Sequence, residues 1–222
     1  MRRSTKARDW HRGLNRAALT AEALRILDRD GPEGLTMRRL ATALDVEAAS
    51  LYAHVQSKDD LVDAVLDTVL DEVDLPEPGP DARLELLAGF ESYRRTLIAH
   101  PRVVMLMFER AHTSAAQARL VTRSIELLES LGLSTRAAVD AHVTLVAYVL
   151  GFIVQEVGRP MRTPPPLAAA SPTLARALTT VAERSVDERF TVGLELILDG
   201  VLRSGPHEGR HSRPATPRVR PR

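Results

Sequence analysis

The chain has 222 residues, 44% of them apolar and 27% charged, with a formal net charge of +1; that is enough chain for one or two compact domains with a real core, and an ordinary soluble composition. Cysteine is absent, which excludes a disulfide framework and a thiolate metal site and fits a reducing compartment. The N-terminus is charged where a signal peptide needs an apolar stretch, and the longest apolar run, Val143 to Val154, is short for a bilayer; the expectation is a cytoplasmic protein with no membrane partner.

In chain order, the first feature is a basic arm. Arg2, Arg3, Lys6, Arg8, Arg12 and Arg16 stand against a single acid, Asp9. Attraction to DNA needs local positive potential, not a basic average, so this arm is a candidate contact despite the near-neutral total. Leu19, Ala23, Ile26 and Leu27 then form one helical face, stopped by Asp30-Gly31-Pro32. Thr36 is placed to cap a short second helix with Leu40 and Leu44 on one side. Val46 ends a tight turn, and a third short helix covers Glu47 to His54. Ser57 opens a fourth, with Asp60 three residues on as a variant capping box, and Val62, Val65, Leu66, Val69, Leu70 and Val73 as its stripe.

The run Leu75-Pro76-Glu77-Pro78-Gly79-Pro80 breaks the pattern, and the helices beyond it lengthen. They cover about 81–99, 102–110, 114–131 and 134–157, followed by a loop with Pro160, Pro164, Pro165 and Pro166. Ser171-Pro172 reads as an N-cap with proline at the first helical position, opening a short helix. A last helix covers about 186–203. The remainder, with Arg210, Arg213, Arg218, Arg220 and Arg222, has the composition of a solvated, disordered basic tail. No sustained alternation of apolar and polar residues occurs, so no strand is predicted and the fold class is all-α. The expected division is residues 1–62 for the arm and a three-helix DNA-binding domain, 63–203 for a helical bundle, and 204–222 for the tail.

Two short helices joined by a tight turn are the unit that seats one helix in the major groove. The unit needs a small residue where its helices cross, and Ala41 supplies it. Its turn needs a residue that tolerates a left-handed backbone; glycine is best, and Asp45 stands there. The segments Gly34-Leu35-Thr36-Met37-Arg38-Arg39-Leu40-Ala41, Leu51-Tyr52-Ala53-His54-Val55 and Lys58-Asp59-Asp60-Leu61 together resemble the DNA-binding domain of the TetR family of bacterial regulators. The resemblance implies a DNA-contacting set of Thr36, Met37, Arg38, Arg39, Ala48, Ala49, Ser50, Tyr52, His54 and Lys58. In that set Tyr52, His54 and Lys58 meet phosphate, Arg38 meets a base or the backbone, and Ala48 and Ala49 stand where relatives often carry a polar base-reader. Those alanines leave apolar contact with thymine methyls as their mode of reading.

The last helix carries Phe190, Leu194, Ile197, Leu198 and Val201 on one stripe with Leu196 and Leu202 beside it, so more than one neighbour must bury it. Phe190 to Gly200 resembles the closing helix of the tetracycline-repressor branch, which implies a homodimer built on a four-helix bundle and, by two-fold symmetry, a palindromic operator. Large and aromatic residues cluster on the helices beyond residue 88, and a cleft with a few polar groups there is a small-molecule site. The expected ligand residues are Phe90, Tyr93, His100, Met107, Phe108, Phe152 and Gln155, with Met105, Tyr148, His112 and Glu156 nearby. By the same resemblance the histidine and glutamate that help hold a magnesium–drug chelate fall on Met107 and Gln155. A thioether and an amide are poor magnesium partners, so no cofactor is expected and the effector is taken to be metal-free and largely apolar.

His207-Glu208-Gly209-Arg210-His211 matches the zinc-peptidase pattern, but Pro206, Gly209 and Pro214 deny it the helix that would put both histidines on one face. An enzyme would need a phosphate loop, a nucleophile with its base, or convergent acids, and the sequence offers none of these patterns. The expectation is therefore a DNA-binding regulator and not a catalyst; an enzyme built on an all-helical bundle is the main alternative, and a structural dimer without DNA binding is the third.

Overall fold

A computed structural model describes residues 14–109, 114–157 and 171–204. Among the described residues every long element is an α-helix and there is no strand. The arm, the proline loop, His112 and the tail with its His207–His211 motif lie outside the described residues, as do the side chains of Met105 and Phe108.

Helix α1 (Arg16–Asp30) starts at Asn15, whose side chain accepts from Ala18 N–H at 2.9 Å. It ends at Gly31, which donates to Leu27 O at 2.8 Å with φ 77° and ψ −177°. That backbone conformation is open only to glycine, which is why the chain can turn there into the 3-10 turn Pro32–Gly34. Helix α2 (Met37–Ala43) is capped by Thr36, which accepts from Arg39 N–H at 3.1 Å. Helix α3 is shorter than the spacing suggested: Ala48–Leu51 is helical, and residues 52–54 close as turns. Helix α4 (Lys58–Asp71) is capped by Ser57, which accepts from Asp60 N–H at 3.0 Å. Asp60 reaches back to Gln56 N–H at 2.8 Å, one residue further than a standard capping box. Leu19, Ala23, Ile26, Leu27, Leu40, Leu51, Leu61 and Val65 are buried between these four helices.

The body consists of α5 (Ala82–Ala99), α6 (Pro101–Glu109), α7 (Ala115–Ser130), α8 (Thr135–Val157), α9 (Pro172–Ala182) and α10 (Val186–Ser204). Helix α4 packs on α1 and also on α5 and α7 of the body. One buried cluster runs through both parts. The division expected between residues 62 and 63 therefore falls inside α4.

Helix α8 takes the apolar run into a 23-residue element that is long and apolar enough, by length and composition, to cross a membrane. Its inner stripe of Ala138, Ala141, Leu145, Val149 and Ile153 is instead buried in the protein core. Its other face leaves Val139, Val143, Val154 and Val157 exposed. Helix α10 likewise buries Phe190, Leu194 and Leu198 and exposes Leu196.

A polar knot ties α5, α8 and α10 together. Arg94 is only 5% exposed. Its guanidinium donates to Glu156 Oε2 (2.9 Å from Nε) and Oε1 (2.7 Å from Nη2) and to Asp187 Oδ1 (2.8 Å). It lies over the Phe190 and Phe152 rings at 4.8 and 5.5 Å from their centroids. A buried charge survives only when paired, and the two carboxylates together with the ring faces meet that condition.

Candidate functional site

The α2–α3 turn is built by Asp45, which adopts φ 53°. Val46 N–H then donates to Ala41 O at 3.0 Å, and Leu44 N–H to Leu40 O at 3.0 Å. These bonds hold α3 across α2 with Leu40, Ala41, Leu44 and Leu51 as the buried seam. Arg16 braces the far end: it donates to His54 O at 3.3 Å and to both oxygens of Asp60 at 2.6 and 3.1 Å. The Arg16 hydrogen bond, with that from Gln56 N–H, holds the Asp60 carboxyl below its usual range. Recognition helix and α4 N-terminus are thus locked to the root of the basic arm.

This brace leaves one surface free. Thr36, Arg38, Ala48, Ala49, Tyr52 (54% exposed), Ala53 and Lys58 all face outward, with Ser50 and His54 half-buried among them. Two alanines and a serine make the centre of this surface low, so a groove wall can approach closely. Lys58 opens α4, where a cation opposes the helix dipole; its position has no stabilising rationale and suits a phosphate contact. Two residues of the expected set are turned elsewhere. Met37 is half-buried against the core. Arg39 donates to Asp30 Oδ2 at 2.6 Å and to Gly34 O at 3.4 Å, so its charge is engaged by the end of α1.

The body holds a partly open cavity of about 110 Å³ bounded by α4, α5, α6, α7 and α8. Its walls are mostly apolar: Leu70 and Val73 at the end of α4, Leu75 and Pro76 beyond it, Leu86 and Phe90 on α5, Met107 on α6 and Leu127 on α7. Six polar side chains interrupt them. Glu85 and Arg123 are ion-paired, and Glu85 Oε1 accepts from Gly79 N–H at 2.7 Å, which pins the proline-rich segment over the opening. Burial pushes the Tyr93 phenol up to about 12, so it stays a neutral hydroxyl. Burial pushes the His142 imidazole down, favouring the uncharged ring; its Nδ1 is 3.0 Å from Ser124 Oγ. Gln117 Oε1 is buried with no hydrogen-bond partner among the described residues. The cavity therefore presents no uncompensated charge, and among the described residues no group of three His, Asp or Glu is placed to hold a metal.

Of the expected ligand residues, Phe90, Tyr93 and Met107 meet at this cavity. His100, Phe152 and Gln155 do not. His100 is taken up by Asp28 and Glu72 at the α5–α6 corner. Phe152 packs edge-on against Phe190 and beside Tyr148 in the Arg94 knot. Gln155 is exposed on α8, and its neighbour Glu156 is paired with Arg94. Periodicity could not separate aromatic residues that line a void from those that fill one. Glu85, Gln117, Arg123, Ser124 and His142 were missed because each looks like an ordinary surface polar residue until α5, α7 and α8 are packed. Only His142, alone on an apolar helix, carried a signal.

Residues 19–65 match the family described as "Bacterial regulatory proteins, tetR family", and residues 75–204 the family described as "Tetracyclin repressor-like, C-terminal domain". An HTH-type transcriptional regulator of Saccharopolyspora erythraea is 35% identical over 64% of this chain and 61% of its own length. The class A tetracycline repressor of transposon 1721 from Escherichia coli is 29% identical over 84% of this chain and 94% of its own. Among solved structures, ActR of Streptomyces coelicolor in complex with actinorhodin superposes with a TM-score of 0.72 at 31% identity, covering 86% of this chain and 98% of that one. BioQ with its natural double-stranded DNA operator superposes at 0.65 with 27% identity, covering 86% and 99%.

Proposed function

This chain belongs to the TetR family of bacterial regulatory proteins, and we propose that it works as a ligand-responsive repressor that holds a palindromic operator as a homodimer and releases it when a small, largely apolar effector binds. The observation that carries this reading is the position of α4. Its first residue, Lys58, borders the DNA-reading surface, and Leu70 near its other end lines the cavity. One continuous helix therefore meets both ligands, and whatever each does to its position the other feels by the same factor.

Operator contact falls to Thr36, Arg38, Tyr52, His54 and Lys58 on phosphate and sugar, with Ala48, Ala49 and Ser50 against base edges. The second copy covers the apolar outer faces of α8 and α10, where Val139, Val143 and Leu196 are exposed. The effector is uncharged and metal-free, in keeping with the compensated charges of the cavity and with Met107 at the position where a chelate would need an imidazole. ActR, solved with actinorhodin, supports an organic effector in a scaffold of this kind. The protein acts by binding alone, in the cytoplasm.

Selecting bound DNA from a random pool tests the reading directly. The expected product is a palindrome bound with steep salt dependence; failure to enrich any sequence at low salt ends the regulator reading. Calorimetry with magnesium and tetracycline tests the effector class, with no magnesium-dependent binding expected.

A further inference from the structure

The α5–α6 corner is where the DNA-binding head joins the body. His100 caps the end of α5 and its side chain is 15% exposed. Both ring nitrogens face carboxylates: Nδ1 lies 2.9 Å from Asp28 Oδ2 on α1, and Nε2 lies 3.2 Å from Glu72 Oε2 at the end of α4. Carboxylates only accept, so both contacts are hydrogen bonds when the ring carries both protons. Asp28 Oδ1 is buried with no hydrogen-bond partner among the described residues. A buried acceptor left unsatisfied is rare and marks a group held in place by its surroundings. Two residues on, Arg102 donates to Arg29 O at the end of α1. Val103 and Val104 follow, buried on the α6 turn that packs on α1. The corner thus grips the C-terminal ends of both α1 and α4.

The gripped elements also form the cavity wall. Leu70 and Val73 bracket Glu72 in sequence, and Met107 lies on α6 two turns beyond His100. The cavity volume of about 110 Å³ is below the roughly 300 Å³ at which ligand pockets begin. An effector of ordinary size fits only if the wall shifts. A shift of the α4 end against α5 stretches the Glu72 contact, and a shift of α6 against α1 stretches the Asp28 contact.

We propose that His100, with Asp28 and Glu72, is a latch that fixes the DNA-binding head in its operator-ready orientation, and that the effector acts by opening this latch. His100 is a positioning residue: it touches neither the DNA surface nor the cavity. The proposal rests on the repressor reading above.

The chain has no cysteine, so Glu33→Cys, on the exposed 3-10 turn, accepts a single spin label on each head of the dimer. Head-to-head distances are measured without DNA in the otherwise wild-type chain, in His100→Gln, in Glu72→Ala and in the double variant. Operator affinity is measured in parallel with the sequence selected as above. Both single variants are expected to broaden the distance distribution and to weaken operator binding about tenfold, the size of a typical allosteric coupling. The double variant is expected to be no worse than the worse single, because both cut the same contact. If His100→Gln fails to fold, Glu72→Ala decides, since that side chain is half exposed. An unchanged distance distribution in Glu72→Ala overturns the latch, whether or not operator affinity falls. If the wild-type chain binds no operator at all, the repressor reading fails, while the distances still judge the latch.

Discussion

Asp45 is the single described residue other than glycine with a left-handed backbone, a conformation that costs an ordinary L-residue about 1–2 kcal/mol and aspartate somewhat less. It is exposed, so Asp45→Gly loses no packing. The relief of strain outweighs the extra freedom of glycine in the unfolded chain, and a gain of about 0.5 kcal/mol is expected, read as a higher denaturant midpoint. Removing a negative charge from the turn that faces DNA should also tighten operator binding. His142 gives the pH dependence. Its folded pKa lies below its unfolded value because of burial, so the unfolded state takes up the proton first as pH falls. The stability this ring contributes is complete above its unfolded pKa and is lost as the pH falls through the folded one. Melting temperature is expected to drop between pH 7.5 and 5.5, and His142→Gln to flatten that drop; an equal slope in the variant would falsify the assignment. The need for Asp45 was legible in the sequence because turn geometry is local. The state of His142 was not, because its burial is made by helices distant in the chain.

Among the elements, α10 sets Gly193 against Tyr148 of α8. A Cβ there would lie 2.1 Å from the Tyr148 hydroxyl oxygen and 2.6 Å from ring atom Cζ. That hydroxyl donates to Phe190 O at 3.0 Å, and the Tyr148 ring stacks on Phe190 with centroids 5.7 Å apart. Gly193→Ala adds up to about 1 kcal/mol of helix propensity but overpacks the contact by about 1–3 kcal/mol. A net loss of about 1 kcal/mol is expected in urea unfolding. The helices themselves were legible because their caps are local signals: Thr36, Ser57 and Ser171 each accept from the backbone N–H three positions on, in the helix that follows. Helix α3 was overestimated because its apolar residues continue into Val55, which is buried by a turn and not by further helix.

For the whole molecule, the proposed dimer interface lies on the outer face of α8. Val143 is 60% exposed, so Val143→Glu leaves the monomer core intact while a two-fold interface sets a charge from each copy into the same apolar contact. The variant is expected to sediment as a folded monomer and to lose high-affinity operator binding; a persistent dimer would place the interface elsewhere. The sequence by itself determined the all-helical class, the helix-turn-helix with its Asp45 turn, and the family. All of these rest on spacing within a few turns of helix, where the 3.6-residue period, caps and turn residues act on near neighbours. Only the tertiary structure decided which aromatic residues line the cavity and which fill the core. It alone turned His100 from a ligand candidate into a bridge between α1 and α4, engaged Arg39 with Asp30, and paired Glu156 with Arg94. Each of those outcomes depends on groups brought together from elements far apart in sequence, and no local pattern records such a meeting.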